Sequence, residues 1–138
     1  MKLVHGDDAA VAAWVVAKIP HVGTVEALGQ HVAVGVADDA GLVAGCVYHN
    51  YIRAYQACEI TFAASTPRFA TREVIRGLLS IPFEQFDCRT VTLLVPHTSA
   101  RVCRFVKGIG FKRRGNLPEF FAPHTHCEVF SMTATNYC

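Results

Sequence analysis

The stretch Cys58-Glu59-Ile60-Thr61-Phe62-Ala63-Ala64-Ser65-Thr66-Pro67 decides how this chain is read. Its first seven residues predict a strand, and Pro67 predicts the turn that closes it. Upstream, the strand pattern continues. His31-Val32-Ala33-Val34-Gly35-Val36-Ala37 predicts a strand and Asp38-Asp39-Ala40-Gly41 a turn. Residues 42–51 predict a second strand, so 58–64 becomes the third strand of a meander.

Downstream, the period changes. Thr71 is placed to cap a helix whose Val74, Ile75, Leu78 and Leu79 share one face, with Pro82 ending or kinking it. Residues 89–95 form a near-continuous apolar run, as in a strand covered on both faces. Ser99 starts another helix, with Val102, Phe105, Val106 and Ile109 on one face and Gly108 and Gly110 at its end. Residues 111–114 and 128–133 are predicted as the last strands, joined by a loop over 116–127 that holds two prolines and His124-Thr125-His126. Ahead of the meander, Asp7 is placed to cap a helix over 8–19, ended by Pro20, and Thr24 a short second helix closed by Gly29. This order predicts one α/β domain over residues 1–138, a mixed sheet with helices on its faces.

Composition agrees. Of 138 residues, 51% are hydrophobic and 17% charged, against ~25% charged in a typical domain. That excludes disorder, which needs low hydrophobicity and high net charge. A formal net charge of +2 gives no electrostatic case for nucleic acid as a partner. The longest early apolar run, 11–19, contains Lys18 and is too short to span a bilayer, so no membrane partner is expected. Six cysteines include no Cys-x-x-Cys pair, and the first residues show no apolar export signal. Free thiols and a cytoplasmic location are the expectation. His124 and His126, two apart with no second pair elsewhere, do not make a metal site, and none is expected.

The ordered set of elements resembles the GNAT superfamily of N-acyltransferases. Glu59 to Pro67 resembles the family's fourth strand and the turn after it. Thr71 to Leu79 lies where the family places its cofactor helix. Ser99-Ala100-Arg101-Val102-Cys103-Arg104-Phe105-Val106-Lys107-Gly108-Ile109-Gly110-Phe111 resembles the next helix and the Gly-Phe that opens the following strand. Within the superfamily, Pro82-Phe83-Glu84-Gln85 is similar to a segment of short bacterial and phage acetyltransferase-like proteins. The resemblance implies a GNAT-like fold, with a mostly antiparallel central sheet and helices on both faces. It implies acetyl-CoA as co-substrate. It also implies transfer of an acetyl group to a primary amine by direct attack in a ternary complex.

The residues that the resemblance singles out follow. Glu59 matches a strand glutamate that serves as general base. The backbone groups of Ala63 and Ser65 match positions that meet the thioester and the pantetheine arm. Arg68 and Arg72 flank the Thr71 cap, where guanidinium groups beside helix-start amides suit a pyrophosphate. Ser99 replaces the family's asparagine in the next helix. Two departures stand beside these matches. The glycine-rich cofactor loop is replaced by Ala70, Glu73 and Ile75, and the tyrosine acid by Val106. They support an alternative in which a catalytically degenerate GNAT-like domain acts as a binding or regulatory protein.

Other residues have competing readings. Glu59 can instead pair with Arg53 or with a tyrosine hydroxyl. His49 is a second candidate base at the end of its strand. Lys112-Arg113-Arg114 reads as a solvated strand end or an anion contact, and Phe120-Phe121 as core or as an acceptor wall. The expected acceptor is a small-molecule or peptide amine, its identity open, and a homodimer is left open as well.

Overall fold

The computed structural model describes residues 1–137; Cys138 lies outside them. A seven-stranded sheet runs in the order β1-β2-β3-β4-β5-β7-β6. Its strands are β1 (Lys2–Val4), β2 (His31–Asp38), β3 (Gly41–Ile52), β4 (Ala57–Ala64), β5 (Thr90–Pro96), β6 (Lys112–Ala122) and β7 (Thr125–Thr133). The helices are α1 (Asp8–Ala17), α2 (Arg72–Ser80), α3 (Ala100–Gly108) and a final turn, α4 (Ala134–Tyr137). Every strand pairing is antiparallel except β4 with β5.

Alternation along the strands divides the interior in two. Ala33 and Val47 point to the face covered by α1, where Val11, Ala12 and Val15 are fully buried. Val34, Val36, Cys46, Tyr48 and Ile60 point to the opposite face, against Val74, Leu78 and Leu79 of α2 and Val106 of α3. The Tyr48 hydroxyl, buried on that side, donates to the Leu78 carbonyl at 2.7 Å and ties the sheet to the end of α2.

Gly35 and Gly45 are direct partners across β2 and β3. A Cβ at Gly45 would stand 2.7 Å from Val15 Cγ2 and 3.0 Å from Val11 Cγ1. A Cβ at Gly35 would stand 2.6 Å from Leu42 and 3.1 Å from Val11. The two glycines form a bare saddle in which α1 sits closer to the sheet than any side chain permits.

The meander, α2, β5 and α3 form where the sequence places them. Thr71 caps α2, its Oγ1 accepting from Val74 N at 3.2 Å. Pro82 ends the α-helical ladder, and residues 81–85 continue as a wider π-type turn. Asp7, in contrast, makes no side-chain cap. Asp8 instead accepts from Ala33 N at 3.1 Å and pins the start of α1 to β2. The predicted loop over 116–127 is corrected to strand. β6 runs to Ala122, and Pro123 and His124 (φ 62°) make a two-residue turn into β7. An edge strand tolerates Pro118, because its outer N–H positions need no partner. Cys46, Cys58, Cys88 and Cys127 are buried free thiols and Cys103 is a partly buried one. Burial pushes the Cys46 thiol up to about 12.

Candidate functional site: the wedge between β4 and β5

β4 and β5 pair only from Ala57↔Thr90 to Ile60↔Leu93. Beyond that point the two parallel strands part, and a cleft of about 1070 Å³ opens between them. Two hydrogen bonds fix which backbone groups of β4 face the opening. Ser65 N donates to Val43 O at 2.9 Å, so the odd-numbered residues of β4 turn their N–H and C=O toward β3. Arg89 N donates to Gln56 O at 2.7 Å, so the even-numbered residues turn theirs toward β5. Once β5 has veered away, the backbone groups of Phe62 and Ala64 face the cleft without a strand to pair with. Those of Ala63 and Ser65 face β3, and the Ser65 hydroxyl also donates to Val43 O at 3.2 Å. All four residues line the cleft. The signal that separates them is the hairpin register, which a single strand read alone does not carry.

One end of the cleft holds a polar cluster on the α1 face. Glu59 and His49 are direct partners across β4 and β3, and Thr61 lies one step along the same face. His49 is 5% exposed. Its Nε2 lies 2.8 Å from Thr61 Oγ1 and 3.8 Å from a Glu59 oxygen. Its Nδ1 is buried with no hydrogen-bond partner among the described residues. Burial pushes the His49 imidazole below its ordinary pKa; Glu59 opposes this and His31 adds to it. Asn50 adopts a left-handed φ of 51° where the β3–β4 register shifts. Its Nδ2 donates to Glu59 Oε1 at 3.0 Å. Asparagine tolerates that conformation better than most residues. Among the described residues no ion pair joins Glu59 to Arg53; Asn50 and His49 hold the carboxylate instead.

Across from this cluster, the segment after α1 meets the tip of the β6–β7 hairpin. The rings of His21 and Phe121 lie 4.3 Å apart, and Phe120 packs edge-on to Phe121 at 5.1 Å. Both phenylalanines line the cleft, with Lys18, Ile19 and Val22 beside them. Phe120 and Phe121 thus form part of the cleft wall and not of the core.

The other end lies against α3 and the turn before α2. Ser99 and Arg101 of α3 line the cleft, as do Thr66 and Pro67. Ser99 makes no side-chain cap for α3. Arg68, Thr71 and Arg72 stand just past Pro67 at the exposed start of α2, outside the cleft lining. The amides there are largely committed. Arg68 N donates to Thr66 Oγ1, Ala70 N to Pro67 O, Thr71 N to Phe69 O and Val74 N to Thr71 Oγ1. This leaves Arg72 N and Glu73 N as the free donors of the first turn. Val106 is fully buried in the core. Arg113 and Arg114 are held at the sheet edge, by Glu128 at 2.5 Å and by the Ser131 hydroxyl at 2.8 Å. Arg101 is the cation at this end of the cleft that the sequence reading did not single out. Its signal is its place in the first turn of α3, two residues after Ser99.

No protein-family model and no curated protein matches this sequence. Solved structures do. The chain is similar to the F149G mutant of SpeG spermidine N-acetyltransferase from Vibrio cholerae, with a TM-score of 0.80, 11% identity, and coverage of 99% of this chain and 95% of that one. It is similar to spermidine N-acetyltransferase from Vibrio cholerae in complex with CoA and spermine, with a TM-score of 0.74, 12% identity, and coverage of 99% and 96%. A structure described as a probable acetyltransferase matches at a TM-score of 0.63 and 17% identity, over 76% of this chain and 63% of that chain. The chain has the GNAT fold: a seven-stranded mixed sheet, mostly antiparallel, with helices on both faces.

Proposed function

We propose that this protein is an N-acyltransferase that moves an acetyl group from acetyl-CoA to a primary amine by direct attack in a ternary complex. The observation that carries the reading is the unpaired edge of β4 inside the wedge. There, the N–H and C=O of Phe62 and Ala64 stand where a β5 strand would otherwise bond. A pantetheine arm carries secondary amides, and an open strand edge binds extended amides as a further strand does. The site fits the donor unevenly along its length. The wedge and the edge of β4 suit the arm and the thioester. The start of α2, with most of its amides used locally and Glu73 in its first turn, makes a thin cradle for a pyrophosphate.

Bound in the wedge, acetyl-CoA supplies an activated acyl carbon. The chain supplies the rest. The N–H groups of Phe62 and Ala64 hold the arm and polarise the thioester oxygen. These two residues take the backbone role first assigned to Ala63 and Ser65, whose side chains form the wall. Glu59, at the head of the same strand, accepts the proton of the attacking amine, directly or through one water. Asn50 and His49 hold the Glu59 carboxylate in place. Ser99 and Arg101 border the arm from α3, and Arg68, Thr71 and Arg72 meet the donor's phosphates outside the wedge. With Val106 apolar and buried, water returns the proton to the departing thiolate.

The test is a thermal-shift titration with acetyl-CoA, followed by thiol release on a panel of amines. Acetyl-CoA at 100 times its Kd adds about 2.7 kcal/mol of apparent stability. No shift at millimolar acetyl-CoA overturns the reading. A shift with no turnover on any amine moves the protein to the degenerate, donor-binding alternative.

A further inference from the structure

The acceptor end of the cleft narrows the acceptor. We propose that it takes a primary monoamine whose body is an aromatic ring, and that it does not accommodate a polyamine. The inference rests on the acyltransferase reading above. The charged side chains lining the cleft are Lys18, Glu59 and Arg101. Arg101 belongs to the α3 end, so the acceptor end holds one carboxylate and one ammonium. Glu26 and Glu119, next in sequence to the lining residues Ala27 and Phe120, are exposed and stand outside the lining.

Glu59 alone offers a counter-charge. Its two oxygens already face Asn50 at 3.0 Å and His49 at 3.8 Å, so it neutralises one incoming ammonium and no more. The His49 imidazole, its pKa lowered by burial, adds no negative charge. A tri- or tetra-amine placing one nitrogen at Glu59 leaves the others in the cleft without a carboxylate, and the Lys18 ammonium, held over the Trp14 ring at 4.7 Å, offers them none. Stranding a charge away from water without a partner opposes binding.

The body of the acceptor meets a different surface. Phe121 tilts against His21 at 4.3 Å, and Phe120 stands edge-on to Phe121 at 5.1 Å. Phe120 is nonetheless 51% exposed, a large apolar face turned to the opening rather than into the core. Ile19 and Val22 complete that wall. Two rings at a right angle present a face and an edge at once, the arrangement into which a third ring packs offset or T-shaped. The charge count and the wall converge on one ammonium attached to one ring.

The experiment is calorimetric titration of 2-phenylethylamine and of spermidine into the protein with CoA present, repeated on Phe120→Ala. A thermal shift with acetyl-CoA alone is recorded beside it. At least tenfold tighter binding of 2-phenylethylamine, lost in Phe120→Ala, is the expected result. Spermidine binding as tightly or more tightly overturns the proposal and leaves the acyltransferase reading standing. So does the absence of binding by either amine when acetyl-CoA still shifts the melt. Absence of an acetyl-CoA shift overturns the underlying reading, and this proposal with it. Equal binding of 2-phenylethylamine by Phe120→Ala removes the ring wall from the argument and sinks the proposal in that form.

Discussion

In the proposed reading, the cleft is walled at its donor end by backbone: the unpaired edge of β4, the turn at Pro67, and the first turn of α3. At its acceptor end it is walled by side chains: the His49, Asn50, Glu59 and Thr61 cluster and the phenylalanine pair. The first tolerates sequence change, because the recognising groups are present in almost any residue. The second does not, because each polar atom there is placed by a specific side chain. A chain can therefore drift far from its structural neighbours and keep a donor wedge while its acceptor end is rebuilt.

Four substitutions test that division. The largest expected effect is Glu59→Gln, which keeps shape and hydrogen-bonding reach but cannot take a proton. Turnover falls by ~10²–10⁴-fold, as for loss of a positioned general base, while acetyl-CoA affinity is unchanged by titration. A fall in donor affinity of the same size would erase the distinction between the two ends. Next is Ala64→Pro, which removes one N–H from the donor edge. That N–H faces the cleft rather than β3, so the antiparallel ladder keeps its bonds. Losing a net ~1 kcal/mol hydrogen bond lowers donor affinity by about five- to tenfold with the melting temperature held. A lowered melt with unchanged affinity would return the N–H to the sheet.

Glu73→Gln should strengthen acetyl-CoA binding a few-fold, since it lifts a carboxylate from the first turn of α2. It also slightly weakens that helix through the lost dipole interaction, ~0.3–1 kcal/mol. Unchanged affinity would place the phosphates elsewhere. The smallest effect is in the pH dependence. The folded His49 imidazole titrates below its unfolded value of about 6.5, so the unfolded chain binds the proton first. The resulting stability is intact above pH 6.5 and drains away as the pH falls toward the folded value. His21, lowered by burial as well, acts in the same direction. The melting temperature should therefore drop on acidification below that point, and His49→Gln should flatten the drop.

The sequence is most legible where periodicity and capping agree. The meander, Thr71 at the start of α2, and the strand–helix–strand order from β4 to β5 follow from hydrophobic spacing and punctuation alone. β6 is opaque because an exposed edge strand has no buried face to impose alternation; Gly115, Asn116 and Pro118 read as loop for the same reason. β1 is three residues long and shows no period at all. In the site, Glu59 is legible as a candidate, but its partners are not. Asn50 reaches it only through the register shift after His49, a feature of pairing between strands. That the backbone groups of Phe62 and Ala64, rather than those of Ala63 and Ser65, face the cleft has the same origin. Which side of a strand donates is set by its neighbours, not by its residues.

The Gly35–Gly45 saddle reaches further than the packing of α1. The residues immediately after that helix, Lys18 to Val22, are one wall of the acceptor end, so the seating depth of α1 fixes the gap between that wall and the phenylalanines. Two absent methyl groups under the helix thus act as the gauge of the aperture. An alanine at position 45 would shim the helix outward against Val11 and Val15. In the acyltransferase reading, that change would widen the gate to bulkier amines while every residue that touches them stays the same.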